Sequence, residues 1–75
     1  MSREILDLKG LNCPLPVLRV NKRIKEIARG AELEVYVTDP AAPKDFRQFC
    51  LSTGHELLSC DETDNVFSII IRKNL

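Results

Sequence analysis

Apolar and polar residues alternate in four stretches of the 75-residue chain and fall at helical spacing in two others. Arg3 to Leu8 reads as a first strand, with Leu6 and Leu8 on one face and Ile5 and Asp7 on the other. Gly10 breaks it. From Pro14 to about Arg29 the period becomes that of a helix, with Val17, Val20, Ile24, Ile27 and Ala28 forming one apolar stripe. Arg19, Lys22, Arg23, Lys25 and Arg29 surround the other side, opposed only by Glu26, and Gly30 stands where a left-handed helix cap is expected. Leu15 and Leu18 fall outside the stripe. Either neighbouring chain covers them, or they are ordinary exposed leucines, or they form an apolar patch ringed by basic side chains where a partner can dock. Glu32 to Thr38 is the second strand, with Leu33, Val35 and Val37 on one face. A second helix follows from about Lys44 to Thr53, turning Phe46, Phe49, Cys50 and Thr53 inward and ending at Gly54. His55 to Asp61 and Val66 to Lys73 are the last two strands, joined as a hairpin by the polar turn Glu62 to Asn65. Phe67, Ile69 and Ile71 mark the buried face of the last strand, whereas alternation alone does not tell whether Leu57 or Leu58 with Cys60 faces inward.

The order strand, helix, strand, helix, strand, strand predicts a two-layer α/β (α+β) sandwich. Right-handed crossovers put both helices on one face of a four-stranded mixed sheet. At this length residues 1–75 make a single domain, small enough that most apolar positions are needed for folding.

Charge changes this picture by exclusion. Eleven basic and eleven acidic side chains cancel, so no overall basic field favours direct nucleic-acid binding. No apolar run reaches membrane-spanning length, and Met1-Ser2-Arg3-Glu4 lacks a signal-peptide core, which together predict a cytoplasmic protein without a membrane partner. Three cysteines, none at metal-knuckle spacing, argue against a disulfide framework and leave room for a reactive thiol.

Cys13-Pro14-Leu15-Pro16 is the candidate centre. Pro14 suits the first position of a helix, which makes Cys13 the expected N-cap, with its sulfur near the free N–H groups of the first turn. A free thiol titrates near about 8.5, and a helix N-terminus is expected to lower that value and favour thiolate. Thioredoxin-like cycling needs a second cysteine in the motif, where Pro16 stands instead. Cys–His hydrolysis has thin support in the lone His55, a deep substrate pocket is not expected, and the spacing does not suggest zinc. Cys50 reads as a buried apolar residue and His55 as a structural one. What remains is thiol exchange: a thiolate takes a sulfane sulfur and surrenders it to a second thiolate. Two other classes stay open. One is a non-catalytic interaction module that docks through Leu15 and Leu18, and the other a redox sensor pairing Cys13 with Cys50 or Cys60.

The stretch Gly10-Leu11-Asn12-Cys13-Pro14-Leu15-Pro16 resembles the Cys-Pro-X-Pro signature of the TusA/SirA-like sulfur-carrier family. The resemblance continues through Thr38-Asp39-Pro40-Ala41-Ala42, Lys44-Asp45, Phe49-Cys50 and Gly54-His55-Glu56-Leu57 and covers essentially the whole chain. It implies the βαβαββ fold, similar to the C-terminal domain of translation initiation factor 3. It also implies a sulfurtransferase in which Cys13 bears a persulfide and Pro14 and Pro16 frame it. The implied partners are a cysteine desulfurase as sulfur donor and a downstream sulfur-relay protein, with no cofactor or metal. The implied pathway is 2-thiolation of the tRNA wobble uridine, with sulfur oxidation and molybdenum-cofactor assembly as alternatives within the family. Leu15, Leu18, Arg19 and Lys22 are the expected docking residues, and Cys60 has no assigned role.

Overall fold

A computed structural model describes residues 3–74. Met1 and Ser2, which entered the reading of the N-terminus, and Leu75, the end of the expected domain, lie outside the described residues. The elements run β1 (Arg3–Asp7), α1 (Leu15–Ile24), β2 (Glu32–Val37), α2 (Ala42–Thr53), β3 (Glu56–Thr63) and β4 (Val66–Arg72). The strands form one sheet in the order β1-β2-β4-β3, with β1 parallel to β2 and the other pairs antiparallel. The expected mixed four-stranded α+β architecture is the one adopted.

Alternation along the strands places the core between sheet and helices. Leu33, Val35 and Val37 of β2 and Ile69 and Ile71 of β4 are fully buried against Val20 and Ile24 of α1 and Phe46 of α2. Burying each such side chain contributes about 1.5–3 kcal/mol. Cys50 is part of this cluster, as expected. On the opposite face, strand pairing sets Arg3 beside Glu32 and Arg72 beside Glu56, and both pairs are salt-bridged.

Four local expectations need correction. Helix α1 stops at Ile24 rather than near Arg29. Beyond it, hydrogen bonds to the end of β4 replace the helical ladder: Lys73 Nζ donates to the Ile27 carbonyl at 2.8 Å, and Gly30 N–H donates to the Lys73 carbonyl at 2.8 Å. Ile27 still enters the core, but Ala28 is left exposed, and Gly30 with φ 87° serves this turn rather than a helix cap. Secondly, the register between β3 and β4 shifts between Leu57 and Ser59, so Leu58 is bulged. The extra residue lets Leu57 and Cys60 both pack on the core, which simple alternation forbids. Thirdly, the hairpin is tighter than a four-residue turn. Only Asp64 and Asn65 lie between the strands, both at positive φ (52° and 66°), as a type I′ turn requires. Helix α2 also starts two residues early, at Ala42, with Pro43 in its first turn, and closes on Gly54 in the left-handed conformation.

Candidate functional site

Because β1 and β2 are parallel, the loops leaving them emerge side by side at one edge of the sheet. The loop after β1 carries Cys13, and the turn after β2 carries Thr38 and Asp39. The two are stitched together. Gly10 N–H donates to Thr38 Oγ1 at 2.9 Å, and Gly10 adopts φ 85°, a conformation that strains any residue with a Cβ. Cys13 N–H donates to Asp39 Oδ2 at 2.7 Å, while Asp39 Oδ1 accepts from Ala41 N–H at 3.1 Å. One carboxylate thus fixes both the backbone of the cysteine and the entry to α2.

The Cys13 thiol is exposed and opens onto a groove of about 290 Å³ between α1 and α2, lined by Cys13, Pro14, Val17, Asp45, Gln48 and Phe49. The groove is an open surface feature rather than a deep pocket. Pro14 is the N-cap and Leu15 the first helical residue, so Cys13 stands one position further out than expected; the Cys13–Pro14 peptide is cis. Pro16 is buried beneath the first turn.

The helix end does not lower the thiol pKa. That expectation is overturned: the Cys13 thiol is pushed up, first by the neighbouring Asp45 carboxylate, which favours the protonated thiol, then by partial desolvation and by the negative charges of Asp45 and Asp39. The physical reason lies in the donors of the helix head. Pro14 and Pro16 have no N–H, and the Leu15 N–H is taken by the Asn12 carbonyl at 2.9 Å. Few helix-terminal donors remain to stabilise a thiolate, and two carboxylates oppose it.

Asp39 and Asp45 are thus the site residues that motif reading missed. Both stand in the stretch that carries the family resemblance, yet nothing in their spacing assigns them a role. The available signal was topological, since residues just after two adjacent parallel strands meet at one sheet edge.

The other expected residues separate. Leu15 and Leu18 are exposed. Arg19 and Lys22 line a second groove of about 230 Å³ on the opposite flank of α1, with Leu6, Leu8, Arg23 and Glu26, and it shares no lining residue with the Cys13 groove. Cys50 is buried, its thiol pushed up by desolvation to about 11. Cys60 is half-buried and raised chiefly by the same cause. His55 packs its ring 6.1 Å from that of Phe49, and its Nδ1 accepts from Asn74 N–H at 3.2 Å, a structural placement. Among the described residues no three His, Cys, Asp or Glu side chains converge as metal ligands do, and no helix is long and apolar enough to cross a membrane.

Comparison with known proteins narrows what an exposed thiol in such a groove is for. The family model described as sulfurtransferase TusA matches residues 4–73. Sulfur carrier protein TusA of Pseudomonas entomophila is 44% identical over 68 residues, covering 91% of this chain and 85% of that protein. Sulfur carrier protein TusA of Allochromatium vinosum is 44% identical over 69 residues, covering 92% and 91% of the respective chains. A SirA-like protein from Desulfitobacterium hafniense, solved by crystallography, superposes with a TM-score of 0.83 over 95% of this chain and 97% of its own; at 23% identity it establishes the fold alone. A match across 4–73, the shared fold and the accessible thiol agree, and the chain belongs to the TusA family of sulfur carriers.

Proposed function

We propose that Cys13 accepts a sulfane sulfur from a cysteine desulfurase as a persulfide and relays it to an acceptor protein, in the service of wobble-uridine 2-thiolation of tRNA. The observation that carries this reading is the contrast among the three free thiols. Only Cys13 is exposed, and it opens onto a groove that a partner's sulfur can enter. The groove's openness suits transfer between macromolecules, because both the donor cysteine and the acceptor cysteine must reach the same atom. Pro14 and Pro16 frame the thiol, Pro16 from beneath the first turn of α1. The exposed Leu15 and Leu18, with Arg19 and Lys22 further along the same helix, form the surface on which a partner docks. Sulfur moves by exchange, so the protein works as a sulfurtransferase with a covalent intermediate and no bound cofactor.

Incubation with a desulfurase and cysteine is expected to add sulfur to the intact protein, and Cys13→Ser is expected to abolish the adduct while Cys50→Ala and Cys60→Ala keep it. An adduct that survives in Cys13→Ser, or none in the unaltered protein, refutes the carrier reading. The pathway is tested separately, by profiling thiolated tRNA in a deletion strain. Loss of wobble thiouridine supports the proposed route, and its retention moves the protein to another sulfur pathway.

A further inference from the structure

The Cys13 groove contains a charge imbalance that carrying sulfur does not by itself explain. Asp45, on the first turns of α2, stands beside the thiol, and Asp39, in the turn after β2, holds its backbone N–H. Neither carboxylate is ion-paired among the described residues. These two are the charged groups acting on the thiol, and both favour its protonated form. A protonated thiol is a poor nucleophile, and a sulfur that resists becoming a thiolate is a poor leaving group. The site therefore hinders both halves of the exchange unless a proton moves with the sulfur.

We propose that Asp45 is a catalytic residue of sulfur transfer, carrying the proton between the Cys13 sulfur and the partner sulfur as the sulfane atom passes. The proposal rests on Cys13 being the sulfur-bearing residue. In loading, the Asp45 carboxylate takes the Cys13 S–H proton as Cys13 Sγ attacks the terminal sulfur of a donor persulfide, R–S–SH. The new Sγ–S bond forms, the donor S–S bond breaks with its electron pair going to the donor sulfur, and Asp45 returns the proton to that leaving thiolate. The products are Cys13–S–SH and R–SH, with no net oxidation or reduction. Discharge is the same path reversed: an acceptor thiol gives its proton to Asp45, attacks the terminal sulfur of Cys13–S–SH, and the leaving Cys13 Sγ is reprotonated. Asp39 acts differently. Both its oxygens are engaged by backbone N–H groups, so it positions the loop and adds field.

The test exploits the fact that field alone and proton carriage predict opposite results. Asp45→Asn keeps the shape of the side chain and removes its charge and basicity. It lowers the thiol pKa, so iodoacetamide alkylation of Cys13 at pH 7 is expected to speed up several-fold. If Asp45 only supplied field, loading from glutathione persulfide and discharge to glutathione would speed up as well. If Asp45 carries the proton, both slow by about a hundredfold at pH 7, the lower end of general acid–base effects. That deficit closes as pH rises beyond the thiol range, where solvent takes the proton. Asp45→Glu restores much of the rate because a carboxylate is again in reach, and circular dichroism confirms that each variant is folded. Loading and discharge by Asp45→Asn at the unaltered rate or faster overturn the proposal. Failure of the unaltered protein to load at all overturns instead the assignment of Cys13 as the sulfur-bearing residue.

Discussion

Helix α1 has a groove on each flank, similar in size and opposite in chemistry. Toward α2 lies the thiol of Cys13 with the Asp45 carboxylate, and Asp39 holds the cysteine backbone; among the described residues neither carboxylate is ion-paired. Toward β1 lies an apolar floor of Leu6 and Leu8 rimmed by Arg19 and Lys22, and the carboxylates there, Glu4 and Glu26, are both held by Arg23. The uncompensated negative charge acts on the reacting atom, while the uncompensated positive charge stands across the helix from it. Arg19 and Lys22 line the groove away from the thiol, and the exposed Leu15 and Leu18 lie on the same helix. One helix thus separates reaction from recognition.

Removing Asp39 is the severest way to disturb the reactive flank without touching the thiol. In Asp39→Ala two backbone N–H groups, of Cys13 and Ala41, lose a charged acceptor. Both can turn to water, so the expected loss is about 1 kcal/mol rather than the larger cost of a buried orphan. Urea denaturation measures it. Sulfur loading is expected to fall together with stability, since the cysteine backbone is no longer tied to the turn after β2. Equal stability with faster loading would show that the carboxylate acts through charge and not through position. The same change on the other flank, Arg19→Ala, breaks no hydrogen bond or ion pair found among the described residues and is expected to leave the urea midpoint in place.

Lys22→Glu probes the recognition flank. Transfer from a desulfurase is expected to weaken, and to weaken more at low salt than at about 1 M, where charges beyond about 3 Å are screened. Loading from glutathione persulfide, which needs no docking surface, is expected to stay unchanged. If both donors lose rate together, the two flanks are not separate, and the division of roles fails.

The fold was legible where burial follows a simple period. Leu33, Val35 and Val37 of β2 alternate with half-buried polar residues, and the pattern located strand, face and core together. It failed where a distant residue supplies the partner. Nothing local to Lys25–Arg29 ends a helix, because the group that draws the Ile27 carbonyl away is Lys73. Likewise Leu58 looks like an ordinary alternating residue, and only its pairing with β4 makes it a bulge. The site was half legible for the same reason. Cys13 stands out from its own neighbours in sequence, the two prolines above all. Asp39, and Asp45 on the helix that follows it, gain meaning only when the parallel pairing of β1 and β2 brings the loop after β1 to the turn that leads into α2. The sign of the thiol shift follows from those two carboxylates and not from the helix, so a helix-head argument alone reverses it.

The smallest effect expected is on the recognition flank and concerns acid stability. Arg23 Nε donates to Glu4 Oε2 at 2.6 Å, and this hydrogen bond is the main cause that holds the Glu4 carboxyl below its ordinary range. A carboxylate with a folded pKa below its unfolded one binds fewer protons when folded, so stability rises with pH across the interval between the two values. The contribution is complete above the unfolded value of 4.5 and disappears as pH falls through the lower folded value. Glu4 and Arg23 are both partly exposed, which screens the pair and keeps the effect modest. Thermal melts of the unaltered protein and of Arg23→Gln are therefore expected to differ slightly at pH 6 and to converge as pH is lowered past that interval. A difference in melting temperature that persists unchanged into acid would mean that Arg23 stabilises α1 through packing of its aliphatic stem over β1, and that charge pairing does not distinguish this flank from the other.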